Sequence, residues 1–357
     1  MNVEERLNII KQVGEEIVTE EELKSLLLSK KRFVAYDGFE PSGIVHIAQG
    51  VMRTININKM IKAGANFKML VADWHAWANH KLGGNLENIQ KTGEYLIEVW
   101  KACGMDISKV DFVWANELVK DEEYWKTVMK VAVNNTLKRI VRCSQIMGRS
   151  ENETLKASQI LYPCMQAADI FYLKADVCQL GMDQRKVNVL AREIGPKLRY
   201  WKPVIVSHHM LMGLIKPSEK TGAVERATEM KMSKSIPDSA IFMTDSEQQI
   251  NEKINKAYCP EKIIEENPLM EYSKYLIFEK FKTMKIERKK EHGGDIIAKD
   301  YNELEEIYKK GLLHPVDLKN SVSFYINKTI EPVRKHFKIN KKASKLLEEV
   351  KSFKITR

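Results

Sequence analysis

Residues 33–49 read Phe33-Val34-Ala35-Tyr36-Asp37-Gly38-Phe39-Glu40-Pro41-Ser42-Gly43-Ile44-Val45-His46-Ile47-Ala48-Gln49. Phe33-Val34-Ala35-Tyr36 is short, apolar and rich in strand formers, Pro41-Ser42-Gly43 is a turn, and a helix is expected over 45–63. Strand, turn and helix in that order are the opening unit of a parallel α/β sheet. Working outward, 67–72 predicts a second strand. Leu86, Ile89, Gly93, Leu96, Ile97 and Trp100 fall on one face at helical spacing, and 110–114 predicts a third strand. Residues 121–172 read as mostly helical and interrupt the alternation, as an insertion between two halves of a sheet would. Strand character returns at 175–180 and at 203–207.

After Asp245 the pattern changes to helices with long Lys/Glu faces and no convincing strand. The expected fold is therefore α/β: a Rossmann-like parallel-sheet domain over 1–245, with a helical insertion near 121–172, and an α-helical domain over 246–357. In the last segment Ile339, Ala343, Leu346, Leu347, Val350 and Phe353 recur at helical spacing while lysines take the other faces, which predicts a docked amphipathic helix with a basic outer side.

With 357 residues and 44% hydrophobic content, the chain can bury two cores. It has no run of ~18 apolar residues, so no membrane span is expected. Residues 1–6 are charged and lack an apolar stretch, which predicts no export signal. Five dispersed cysteines without a CxxC pair fit a reduced, cytoplasmic setting without structural zinc. The net charge is +10, and residues 335–357 hold eight Lys/Arg against two Glu, a footprint for phosphate backbones that also serves solubility.

Two short segments carry the chemistry. His46 and Gln49 stand one helical turn apart where a helix starts at the end of a parallel strand. Free N–H groups and the helix dipole already favour phosphate there. Far downstream, Lys231-Met232-Ser233-Lys234-Ser235 places two lysines three apart among hydroxyl residues, with Pro237 close behind, as a loop offering cations to a polyphosphate. Alone, the first is better read as a structural histidine and the second as a solvated basic loop. Together on one α/β domain they point to a nucleotide.

The pair resembles the two signatures of the class I aminoacyl-tRNA synthetases, a His-Ile-Gly-His-like motif and Lys-Met-Ser-Lys-Ser. The second matches literally; the first departs, with Ala48 for glycine and Gln49 for the second histidine. Residues 35–43, Tyr162-Pro163-Cys164-Met165-Gln166-Ala167-Ala168-Asp169 and Gly181-Met182-Asp183-Gln184-Arg185-Lys186 resemble the substrate segments of tyrosyl-tRNA synthetases of the archaeal and eukaryotic cytosolic branch. Asn267-Pro268-Leu269, Gly293-Gly294-Asp295 and His314-Pro315-Val316-Asp317-Leu318-Lys319 are similar to that branch's C-terminal domain.

The resemblance implies roles residue by residue. Tyr36 and Asp169 would bond the phenol of tyrosine, while Tyr162, Gln166 and Gln184 would hold its ammonium end. Gly38, Gly181 and Asp183 would contact the nucleotide. His46 and Gln49 would act on phosphate with Lys231 and Lys234, Met232 and Ser233 lying between the lysines. ATP would come with Mg2+, and no protein metal site is expected. His292 and Asp317 would read the tRNA anticodon, although Asp317 also suits a helix cap. The partners implied are tRNA(Tyr), tyrosine, ATP and a second subunit. Trp125, Val128, Val131 and Ile140 of the insertion suit either a homodimer interface or internal packing. A tryptophanyl-tRNA synthetase and a catalytically silent, synthetase-like RNA-binding protein are the alternatives.

Overall fold

The computed structural model describes residues 1–147, 154–216, 232 and 236–354. Its centre is a six-stranded sheet of β1 (Gly14–Val18), β2 (Phe33–Phe39), β3 (Ala65–Val71), β4 (Val110–Trp114), β5 (Val177–Gly181) and β6 (Val204–His208). The spatial order is β1-β6-β5-β2-β3-β4. The four pairings from β6 through to β4 are all parallel, with Phe33 opposite Ala65 and Phe39 opposite Val71. The chain runs outward from β2 through β3 to β4, then returns to the other side of β2 with β5. Strand order reverses there, and an open α/β sheet forms its crevice at such a point, beyond the carboxyl ends of the strands.

Two features depart from the expected parallel sheet. Strand β1 adds an antiparallel edge on β6, with Ile17 opposite Val206. Its partly exposed Gly-Glu-Glu-Ile-Val sequence lacks the apolar run that betrays a buried strand. The helix after Pro41-Ser42-Gly43 opens as a π-helical turn, Ala48–Met52, before the α-helix Arg53–Lys62. Side chains take up the carbonyls within the wide turn, Trp100 Nε1 donating to Gln49 O at 2.8 Å and Thr54 Oγ1 to Gly50 O at 2.8 Å.

The insertion contains helices Glu122–Val133, Leu137–Cys143 and Ala157–Tyr172. Val128, Val131 and Ile140 are buried within the chain and Trp125 packs against the same cluster, so these four are committed to internal packing. The apolar residues that reach solvent are others, with Met129 54%, Val133 78%, Leu137 62% and Leu161 41% exposed.

Beyond Asp245 the chain is helical, dominated by Pro315–Ile339 and Lys341–Ser352, but a two-stranded antiparallel ribbon of β7 (Met284–Ile286) and β8 (Ile296–Ala298) corrects the expectation of no strands. Three-residue strands are too short to show a period of two in sequence. One apolar core crosses position 245, joining Ile57, Val99 and Trp100 to Leu269, Val333 and Leu347. The last helix buries Ala343, Leu346, Leu347 and Val350 as expected. Ile339, expected with them, is exposed, because it ends the preceding helix and Asn340 caps the next one.

Candidate functional site

Eleven of the expected residues come together at the sheet's carboxyl edge. Tyr36, Gly38, His46, Gln49, Tyr162, Gln166, Asp169, Gly181, Asp183, Gln184 and Met232 all line one cleft of about 370 Å³. Lys231, Ser233 and Lys234 lie outside the described residues.

The strand period builds the floor. Along β2, Tyr36 and Gly38 share a face, and a Cβ at Gly38 would stand 2.8 Å from the Tyr36 hydroxyl, so only glycine leaves that phenol its place. On the opposite face Asp37, fully buried, pairs with Arg53. Burial pushes the Asp37 carboxyl up to about 6, while Arg53 pulls the other way. In helix Ala157–Tyr172 the spacing Tyr162, Gln166, Asp169 sets three polar side chains on one face.

Asp169 is completely buried and already engaged. The Tyr124 hydroxyl donates to its Oδ1 at 2.9 Å, and His75 Nε2 stands 3.0 Å from Oδ2. Burial lowers the His75 pKa, but Asp169, through its charge and its contact with the ring, together with Glu40 and Asp73, raises it on balance. Burial, followed by the Asp169 charge, holds the phenols of Tyr36 and Tyr124 well above the usual tyrosine range, so both remain hydroxyl donors.

Above this floor Gln166 Nε2 donates to Gln184 Oε1 at 3.1 Å, and Gln184 Nε2 to the Ile146 carbonyl at 3.1 Å. The chain of amides fixes both rotamers. Tyr162 meets the His75 ring edge-on at 5.2 Å between centroids, and burial, then the nearby Glu40 charge, raises its phenol. Glu40 in turn accepts from Asn79 Nδ2 at 2.9 Å and has Lys81 Nζ at 3.6 Å.

At the other end, β5 terminates in Gly181 and a tight turn, Met182–Gln184. A Cβ on Gly181 would collide with Asp183 Oδ1 at 2.5 Å and Met210 Sδ at 2.6 Å. His208 has its Nδ1 2.7 Å from Gln179 Nε2, and burial holds its imidazole neutral, well below the usual range. Gln49 Oε1 accepts from the His46 N–H at 3.4 Å, which turns the rest of the Gln49 amide toward the cleft. His46 also forms an antiparallel bridge with Phe242, flanked by Ile47 N–H to Ile241 O and Met243 N–H to Val45 O, both 2.8 Å. The segment downstream of Lys231-Met232-Ser233-Lys234-Ser235 is thereby tied to the start of the helical stretch at Ala48.

Sequence reasoning missed His75, Tyr124, Glu40, Lys81, Arg53 and His208. His75 gave a signal, since it follows β3 at the carboxyl edge; Tyr124 gave none, because it comes from the insertion.

His292 and Asp317 are not in this cleft. His292 ends a turn before Gly293 and Gly294, whose φ angles are +90° and +72°. Asp317 lies in the first turn of helix Pro315–Ile339, whose cap is His314, its Nδ1 accepting from Val316 N–H at 3.2 Å. Arg288 joins the two turns by donating to Gly294 O at 2.9 Å and Leu312 O at 2.8 Å. Among the described residues no group of His, Cys, Asp and Glu is placed to hold a metal ion.

The family described as "tRNA synthetases class I (W and Y)" matches residues 28–331. The chain is 52% identical to a cytoplasmic tyrosine–tRNA ligase of Arabidopsis thaliana, over 99% of this chain and 90% of that one. It is 40% identical to a tyrosine–tRNA ligase of Saccharolobus islandicus, over 98% of each. The tyrosyl-tRNA synthetase of Pyrococcus horikoshii, solved with L-tyrosine, superposes with a TM-score of 0.91 at 38% identity, covering 99% of this chain and 100% of that one. A buried carboxylate at the floor of a crevice, amides above it and a helix start at the crevice's edge are thus found on a chain that belongs to the tryptophan- and tyrosine-type class I tRNA synthetases.

Proposed function

We propose that this enzyme is a tyrosine–tRNA ligase working from the cleft at the sheet's carboxyl edge. The tyrosine carboxylate attacks the α-phosphate of ATP to give tyrosyl-adenylate and pyrophosphate, and the 3′-terminal adenosine hydroxyl of tRNA(Tyr) then takes the tyrosyl group. Neither step needs an enzyme nucleophile. Positioning and cations on the departing charge supply the catalysis.

The observation that carries this reading is Asp169, a fully buried carboxylate between the Tyr124 hydroxyl and the His75 ring, which come from two different helices. A substrate phenol offers it another O–H. A phenylalanine ring offers none and displaces water from a buried polar group, a loss that is costly; tyrosine-activating enzymes are the established case of this asymmetry. Tyr36 completes the phenol's surroundings, and Gln166, Gln184 and Tyr162 receive the ammonium. Gly181 and Asp183 meet the ribose, and Gly38 leaves room beside it. His46 and Gln49 hold phosphate oxygens while Lys231 and Lys234 close over pyrophosphate. Magnesium travels with ATP, held by phosphates and water.

Residues 1–245 form the catalytic part and 246–357 the anticodon-binding part, where Asp317 accepts from a guanine edge and His292 packs on the base, on turns held together by Arg288. The exposed apolar Met129, Val133, Leu137 and Leu161 support a homodimer through the insertion. The cytoplasm, named for the Arabidopsis relative, is the compartment we assign. No helix among the described residues is long and apolar enough to cross a membrane.

ATP–pyrophosphate exchange with tyrosine, tryptophan or phenylalanine as the only amino acid tests the assignment. Exchange with tyrosine alone is expected; exchange with tryptophan would shift the enzyme to its sister specificity, and none with any of the three would remove the activity.

A further inference from the structure

Beside the cleft lies a short turn, Lys81–Gly84, that runs through left-handed backbone at several positions. His80, Leu82, Gly83 and Gly84 have φ angles of +61°, +50°, +70° and +74°. Glycine tolerates this region, but histidine and leucine do not favour it. The loop nevertheless bears cleft-lining chemistry. Asn79, fully buried, donates to Glu40, and Lys81 reaches the same carboxylate, both Glu40 and Lys81 facing the cleft that holds Tyr162.

One contact on the cluster that buries Leu82 comes from the far end of the chain. Leu82 is buried with Ala76 and Ile89 in a small cluster separate from the main cores, and Phe353 packs against that cluster. Ala76 directly follows His75, the partner of Asp169. Phe353 is delivered by helix Lys341–Ser352, which lies on helices Leu86–Cys103 and Pro315–Ile339 and is pinned by Lys91 Nζ to Glu349 Oε2 at 3.3 Å. A residue remote from the reaction therefore backs two stretches that reach it.

Building on the tyrosine-activating reading above, we infer that the C-terminal helix is a strut for the active site: Phe353, packed against the cluster of Ala76, Leu82 and Ile89, holds the left-handed 80–84 loop, and so positions Lys81 and Glu40 in the cleft. Phe353 is a positioning residue, touching neither substrate. The alternative is that it only fills a surface gap, and then its loss would be felt in stability but not selectively in the loop or in Lys81.

The test is a double-mutant cycle on the full chain with a structural readout beside it. Phe353→Ala is expected to lower kcat/KM for tyrosine in pyrophosphate exchange about tenfold, as for a small displacement of positioned groups, with Phe353→Leu recovering most of the loss. In a Lys81→Ala background the Phe353→Ala effect is expected to shrink, because both substitutions act on one element. Hydrogen exchange is expected to quicken in amides 79–85 while helix Lys341–Ser352 stays protected. Additive losses, or unchanged protection of the loop in Phe353→Ala, would overturn the proposal. Should the unaltered enzyme show no tyrosine-dependent exchange, the functional reading fails on its own. The hydrogen-exchange comparison still decides the strut, since it needs no substrate.

Discussion

The floor of the cleft and the turns around His292 and Asp317 are both built from a few polar side chains, yet they hold them in opposite ways. Asp169 is buried between Tyr124 and His75, and Tyr162, Gln166 and Gln184 are each held by a neighbour. His292 has a side chain 62% exposed, 3.6 Å from Glu291, and Asp317 is only half-buried. In the low-dielectric floor, losing one partner leaves an uncompensated group. In the turns, water and salt replace what is lost. The floor fits the discrimination between amino acids proposed for it; the turns fit the transient contact with an RNA base proposed for them.

That contrast can be broken by substitution, and the floor should break hardest. Asp169→Ala removes the shared acceptor from Tyr124 and His75 and should cost tyrosine activation about 3 kcal/mol or more, ~10²-fold in kcat/KM. Pyrophosphate exchange within tenfold of the unaltered enzyme would show that the floor does not recognise the phenol.

The rim of the cleft is an intermediate case. His209 lies between Glu15 Oε2 at 3.3 Å and Glu271 Oε2 at 3.1 Å, stacked 4.3 Å from Tyr275, and so links the sheet edge to the C-terminal half. These carboxylates, outweighing burial, raise its pKa to about 9. A folded pKa above the unfolded one means that the stabilisation is complete below about pH 6.5 and is lost as pH rises through 9. The difference in unfolding free energy between the unaltered enzyme and His209→Gln should be on the order of 2–3 kcal/mol at pH 6 and should close above pH 9. A pH-independent difference would refute the charged pin.

A milder change at the floor sharpens the comparison. Tyr124→Phe deletes one donor and keeps the ring, so KM for tyrosine should rise about fivefold with stability down by ~1 kcal/mol; steady-state exchange and thermal unfolding read both, and no change in either would mean Asp169 is satisfied without Tyr124. The smallest effect belongs to the exposed turn. Asp317→Ala should reduce aminoacylation about fivefold, from a contact worth ~1 kcal/mol beside water, and leave pyrophosphate exchange unaltered. A matching fall in exchange would place Asp317 in the catalytic half instead.

Much of the cleft was legible in sequence because its residues sit in contiguous motifs that resemble a family's, and the local patterns bring each motif to one face or turn. Tyr162, Gln166 and Asp169 are spaced for one helix face, and Gly181 and Asp183 follow a strand directly. Tyr124 was not legible, because it reaches Asp169 across 45 positions from a helix whose pattern records only its own packing. The same holds for Glu15 and Glu271, which meet at His209 from opposite halves of the chain. Strand β1 escaped notice because a half-exposed edge strand needs no apolar run.

The sequence by itself determined the parallel sheet and the helical insertion, each written in a local period or turn, and its motifs, by their resemblance to a family, picked out eleven residues that line the cleft. Only the tertiary structure decided which groups hold Asp169, that His46 is bridged to Phe242 beyond the two lysines, and that Phe353 packs against the cluster that buries Leu82. Those contacts join residues far apart in the chain, and they depend on where a reversed strand order and the packing of distant helices bring them, which no local spacing encodes.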